Sequence, residues 1–259
     1  TVGYSANALG GAGGPLAVLI IAIVAAELGK AVSKETKIDI LATPLVTIFA
    51  GVGLSMLIAA PIGAAASQVG TLIMWATEQA PLVMGILVSV IVGVALTLPI
   101  SSAAICAALG LTGLAGGAAV AGCCAQMVGF AVMSYKENGV GGLVSQGLGT
   151  SMLQMGNIIK NPRIWIAPTL ASAITGPLAT CLFHFEMNGA AVSSGMGTCG
   201  LVGQIGVYTG WIEAGKAVTA FDWVGLVLIC FVLPAVLSVV FCEVLRKWGW
   251  IKDGDMKLD

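Results

Sequence analysis

A chain of 259 residues that is 58% hydrophobic and only 9% charged has too little polar surface to face water, since soluble domains carry about 25% charged residues. Its net charge of −1 is uninformative, and no basic tract points to nucleic acid. Lipid is the solvent that fits, and at about 20 apolar residues per crossing the length allows about six to eight full or partial spans.

The first apolar run covers residues 10–26 and is closed by Glu27 and Lys30. It is long enough to span and has no basic stretch before it, so it reads as a membrane helix and not as a cleavable signal. Lys30, Lys34, Glu35 and Lys37 follow as a charged loop. The second run, 40–60, is bracketed by Pro44 and Pro61, and the more polar stretch 61–80, through Gln68 and Glu78, reads as an outer loop. The third run, 82–98, ends at Pro99. Residues 101–114 form a short small-residue segment punctuated by glycines, with 118–133 as its return helix. A charged turn at Tyr135-Lys136-Glu137-Asn138-Gly139 leads into a glycine-rich stretch carrying Gln146, Gln154 and Asn157, which ends at Lys160-Asn161-Pro162-Arg163. Residues 164–183 make another full-length run, 189–210 is again glycine- and serine-rich, and 223–244 is the last run before a polar tail.

This pattern predicts an all-α integral membrane protein: a polytopic helical bundle with five clear spans and three broken or re-entrant segments, 100–133, 140–158 and 189–210. Irregular backbone at membrane depth is tolerated only where it is buried or lines a cavity, and the 36 glycines let helices approach closely. The chain reads as one transmembrane domain, 1–259, whose native form is expected to begin further upstream because Thr1 is not a start residue. The proline-bracketed stretches near 44–61 and 168–177 share a style but not a spacing, so an inverted internal repeat stays open. Apart from Lys136 and Lys216, the basic groups fall in three clusters: Lys30 with Lys34 and Lys37, Lys160 with Arg163, and Arg246 through Lys257. Placing all three inside gives a consistent multi-pass topology with a cytoplasmic C-terminus.

Polar groups inside a membrane are costly, so each is a candidate site by default. Glu78, beside Gln79, suits the paired hydroxyls of a polyol or stands as a loop carboxylate in water. His184 and Glu186 lie at the outer end of a span, as solute or proton contacts or as interfacial residues. Gln154 and Asn157, three apart, share a helix face and serve either a solute or interhelical hydrogen bonding. Ser101 and Ser102 open a short segment whose N-terminus would present unpaired N–H groups to an oxygen-rich or anionic solute. Ser194, with Ser193 and Thr198, holds a comparable place in the last broken segment, and Gln204 lies beyond it. The seven cysteines form no CxxC pair and the chain has one histidine, so no metal site and no cofactor is expected. No Walker A, GxSxG or HExxH pattern is present, and no catalytic residue is assigned.

Residues 96–105 (LTLPISSAAI), 122–143 (GCCAQMVGFAVMSYKENGVGGL), 146–166 (QGLGTSMLQMGNIIKNPRIWI) and 195–206 (GMGTCGLVGQIG) together resemble the EIIC-like permeases of the sugar phosphotransferase system, in the branch that lacks fused EIIA and EIIB domains. The resemblance runs from Ile38 to about Gly210. It implies a homodimeric permease in the bacterial plasma membrane that binds a small polar solute of the sugar or sugar-derivative class. It further implies a cytoplasmic EIIB-like partner, for which Lys136, Lys160 and Arg163 are the expected docking residues. Enzymatic activity, if any, would be that of the membrane subunit of a sugar phosphotransferase. Two alternatives stay open at this stage: a gradient-coupled transporter or channel of the same fold, and a membrane sensor that binds solute without moving it.

Overall fold

A peptide group in lipid has no water to bond, so the apolar runs close their hydrogen bonds internally as helices. The computed structural model describes residues 14–33 and 39–258. The charged loop with Lys34, Glu35 and Lys37 and the start of the first run lie outside the described residues. The helices are α1 (Gly14–Val32), α2 (Asp39–Gln79), α3 (Pro81–Thr97), α4 (Ser102–Leu109), α5 (Gly113–Met133), α6 (Tyr135–Val144), α7 (Met155–Lys160), α8 (Pro162–Leu182), α9 (Val202–Glu213) and α10 (Ala220–Lys247). By length and composition α2, α5, α8 and α10 suffice to cross a membrane, and α3 is a shorter apolar helix. Among the described residues the only extended pairing is a two-bond bridge between Gly113 and Met187.

The described residues form two compact units, one within residues 14–71 together with 107–109, and one within residues 72–106 together with 110–258. In the first, Ala17 and Ile21 of α1 bury against Ala59 of α2, flanked by Leu54, Ile58 and Ile62. In the second, α3, α5, α8 and α10 form the core. Glycine governs the contact of α3 with α5 and α8. A Cβ at Gly93 would lie 2.7 Å from the Gly122 carbonyl oxygen, and one at Gly122 would collide with the carbonyl of Ser89. The Ser89 hydroxyl donates to the Ser172 carbonyl at 2.8 Å, tying α3 to α8. Without a hydrophobic drive between helices in lipid, this close backbone packing is what holds them together.

Two expectations need correction. Residues 61–80 are not a loop: α2 continues unbroken for 41 residues, with Pro44 and Pro61 inside it. At 1.5 Å per residue it is about 60 Å long, twice the hydrocarbon core. Each proline removes one hydrogen bond, which the long run of Ala, Leu and Ile on both sides outlasts, and Gln68 and Glu78 stay helical on exposed positions. The second correction is at residues 118–133, expected as the return helix of a short hairpin, which lie within a longer helix, Gly113–Met133. That helix is α5, the most enclosed of the four long helices, 89% of whose apolar window is buried. Its Gly and Ala residues look weak as a hydropathy signal, yet they are what allows neighbours to close on every side.

Segments 140–158 and 189–210 are broken, as their glycines led one to expect. The first runs through a wide π-type turn (Ser145–Gly149), a 3-10 turn (Ser151–Gln154) and α7. The second runs through 3-10 turns at Ala191–Gly195 and Cys199–Leu201 into α9. α10 starts with a Thr219/Asp222 capping box and widens at Leu228–Val232, just before Pro234, whose missing N–H a wide turn accommodates. Its 28 residues span about 42 Å, the thickness of a bilayer with its interfaces. Trp211, Tyr208 and Trp223 cluster near its start, and Trp248 and Trp250 pack 5.6 Å apart beyond its end. Aromatic groups at both ends of a span mark the two membrane interfaces.

Candidate functional site

α3 ends because Pro99 cannot continue it, and the chain turns through Ile100 and Ser101 into α4. Ser101 caps α4: its Oγ accepts the Ala104 N–H at 3.1 Å. The N–H groups of Ser102 and Ala103, in the first turn, have no partner within the helix. Leu96, Pro99 and Ile100 on one side and Ser101 to Ala103 on the other line a pocket of about 420 Å³. The two broken segments supply the rest of the wall, Gly149, Thr150 and Met152 from one and Met196 and Cys199 from the other. That volume falls within the range of about 300–1,000 Å³ usual for small-molecule sites, and a mostly apolar lining with few polar groups is also usual.

Buried hydroxyls and amides fasten these walls. The Ser102 hydroxyl donates to the Gly195 carbonyl at 2.7 Å, and Ser194 to the Leu111 carbonyl at 2.7 Å. Thr198 donates to the Gly147 carbonyl at 2.5 Å, joining one broken segment to the other. Thr97 and Ser151 share a hydrogen bond of 2.8 Å. Behind them Gln126, wholly buried in α5, accepts from Trp165 at 3.0 Å and Thr97 at 3.3 Å and donates to Thr169 at 3.3 Å. Thr150, Thr97, Ser151 and Gln126 were not among the predicted residues. Gln126 had a legible signal, as the one amide in the otherwise apolar run 113–133. Thr150 had none, because only the fold turns it toward the pocket.

Of the predicted binding residues the structure brings Ser101 and Ser102 into the pocket; Ser194 is buried outside its lining, bonded to the Leu111 carbonyl. The others lie elsewhere. Glu78 is exposed at the end of α2. His184 is exposed, adopts a left-handed backbone (φ 42°) and borders a small hollow with Lys216 and Asp222. Glu186 is exposed and accepts from Asn188 at 2.9 Å. Gln204 is buried; its Nε2 donates to the Cys124 sulfur at 3.2 Å, while Oε1 has no hydrogen-bond partner among the described residues. Gln154 and Asn157 do share one face, but their amides are engaged with the backbone of residues 256 and 257, at 3.0 and 2.9 Å.

The predicted docking residues gather near the end of the chain. Lys136 pairs with Glu243 at 3.5 Å, with both side chains exposed. Arg163 stacks over the Trp250 ring at 5.3 Å, and Lys160 is exposed at the end of α7. Among the described residues no cluster of three or more His, Cys, Asp or Glu could hold a metal ion.

The model of the family described as phosphotransferase system, EIIC matches residues 2–258 of this chain. The chain belongs to the EIIC family. It is thus a membrane component of a phosphotransferase system, the class of subunit that works with cytoplasmic EIIB-type partners. No curated protein and no solved structure matches it.

Proposed function

We propose that this EIIC chain is a permease that carries a small polar solute, a sugar or sugar derivative, across the bacterial plasma membrane, and that it holds the solute in the pocket at the start of α4. The observation that carries this reading is the convergence of α4 and both broken segments on one pocket, with hydrogen-bond donors left over. The Ser101 and Thr150 oxygens each accept a backbone N–H, from Ala104 and from Met152 at 3.1 Å. Each O–H is therefore left to donate. The first-turn N–H groups of α4 add donors at the positive end of the helix. A polyol offers acceptor oxygens to match, and the apolar remainder of the wall packs on its ring carbons.

The exposed Lys160 and Arg163 and the Trp248 and Trp250 side chains lie at the same end of α10 as Arg246 and Lys247. Positive charge favours the cytoplasmic side, so this end faces the EIIB-like partner, which docks on Lys136, Lys160 and Arg163. The test is a melting screen of the detergent-solubilised protein against sugars, sugar alcohols, nucleosides and organic acids, since a ligand of the folded state raises the melting point. A sugar that stabilises the wild type should lose about five- to tenfold in affinity in Ser101→Ala and Thr150→Val, the loss expected for one hydrogen bond each. Stabilisation by sodium or protons alone, with no response to any polyol, would overturn the reading in favour of gradient-coupled transport.

A further inference from the structure

Residues 250–258 are held by side chains that bond almost only their main chain. Glu137 accepts the N–H groups of Gly254 and Met256 at 3.1 and 2.9 Å. Asn138 donates to the Met256 carbonyl and accepts the Leu258 N–H, both at 2.8 Å. Asn161 donates to the Trp250 carbonyl at 3.0 Å and to the Asp255 carboxylate at 2.7 Å. The Met256 side chain is wholly buried beneath them.

Gln154 connects this seated segment to the pocket. Its Nε2 donates both to the Met256 carbonyl at 3.0 Å and to Gln146 Oε1 at 2.9 Å. Gln146 donates in turn to the Ser134 hydroxyl at 2.8 Å and the Gly142 carbonyl at 3.0 Å. Both glutamines are wholly buried, and neither lines the pocket. Gly149, Thr150 and Met152, which do line it, lie between them along the chain. This stretch is a wide turn followed by a 3-10 turn, and such turns are weaker than a regular helix in setting their own position. The pair Gln146–Gln154 closes the stretch as a loop and anchors it to residue 256. A buried amide that loses its partner finds no water to replace it, so the link resists opening.

We propose that Gln146 and Gln154 are positioning residues for the pocket, and that segment 250–258, seated on Gln154, sets the affinity of the pocket for its solute. The proposal rests on the pocket being the solute site argued above. The test compares full-length wild type, Gln154→Met and Asn138→Ala in detergent by hydrogen exchange with mass spectrometry, together with the affinity for the stabilising sugar from the melting screen. Among the described residues the Asn138 side chain bonds residues 256 and 258 and does not line the pocket, so its variant loosens the segment without touching the wall and serves if Gln154→Met does not fold.

The expected result is exchange about tenfold faster across residues 145–152 in both variants, with residues 113–133 unchanged and sugar affinity weakened about tenfold. Unchanged exchange at 145–152 overturns the proposal whatever the sugar does. Faster exchange with unchanged affinity also overturns it when Thr150→Val does weaken the sugar. If Thr150→Val leaves the affinity unchanged as well, the pocket reading is what has failed, and the claim about affinity falls with it.

Discussion

Gly117 sits where the extended segment after α8 crosses α5, and replacing it with alanine tests the packing logic of the whole bundle. The new Cβ would land on the Phe185 carbonyl oxygen, a backbone atom that cannot rotate away. Relief requires residues 185–187 to lift from α5, which breaks the paired bonds between Gly113 and Met187 at 2.9 and 3.0 Å. Two backbone hydrogen bonds at about 1 kcal/mol each, with about 1–3 kcal/mol of overpacking, give a loss of about 3–5 kcal/mol. For a chain of this size that lowers the melting temperature by about 10 °C or somewhat more. Gly156→Ala, in α7 with nothing within 4 Å of its Cβ position, is the control and should be neutral or stabilise by up to about 1 kcal/mol. The assay is tryptophan-fluorescence melting of both variants in one detergent. A Gly117→Ala protein that melts within about 2 °C of wild type, less than 1 kcal/mol on the same scale, would refute the reasoning that glycine contacts hold this bundle.

Glu137→Gln removes the anionic partner of Arg246, at 3.2 Å with both side chains largely buried, and weakens the acceptor for the Gly254 and Met256 N–H groups. Arg246 keeps Asp253 at 2.7 Å, so the expected destabilisation is about 2–3 kcal/mol, below the full cost of orphaning a buried charge. Limited proteolysis should then cut near residue 250 faster than in wild type, and an unchanged cleavage rate would count against the clamp. Reversing Lys160 and Arg163 to glutamate should weaken capture of an EIIB-type protein in a pull-down at low salt while leaving the melting temperature nearly unchanged, because both side chains are exposed. Equal capture by the variant and the wild type would place the docking surface elsewhere.

The sequence reading and the structure part company at particular residues. Ser101 and Ser102, which line the pocket, were legible as a helix start because a proline stop followed by serines is a local signal for one. Gln154 and Asn157 were legible as neighbours on one face, but not as holders of residues 256 and 257, because that contact joins positions about a hundred residues apart. Glu78, His184 and Glu186 drew attention as rare ionisable groups in an apolar chain, and the fold leaves all three exposed. The extent of α2 was hidden by Pro61, read as a boundary although lone prolines persist inside membrane helices.

By itself, the amino-acid sequence determined the solvent and the class. A chain 58% hydrophobic and 9% charged must sit in lipid, lipid demands helices, and glycine-rich stretches at 140–158 and 189–210 must break them. It also carried the family, through motifs spread along most of its length. Only the tertiary structure decided that α5 is the centre of the second unit, that Thr150 faces a pocket while Gln154 does not, and that Glu137, Asn138 and Gln154 grip the end of the chain. Local composition dictates which backbone form is affordable in lipid. Which polar group faces a cavity and which is consumed as a fastening depends on partners distant in sequence, and those are set only when the helices close on one another.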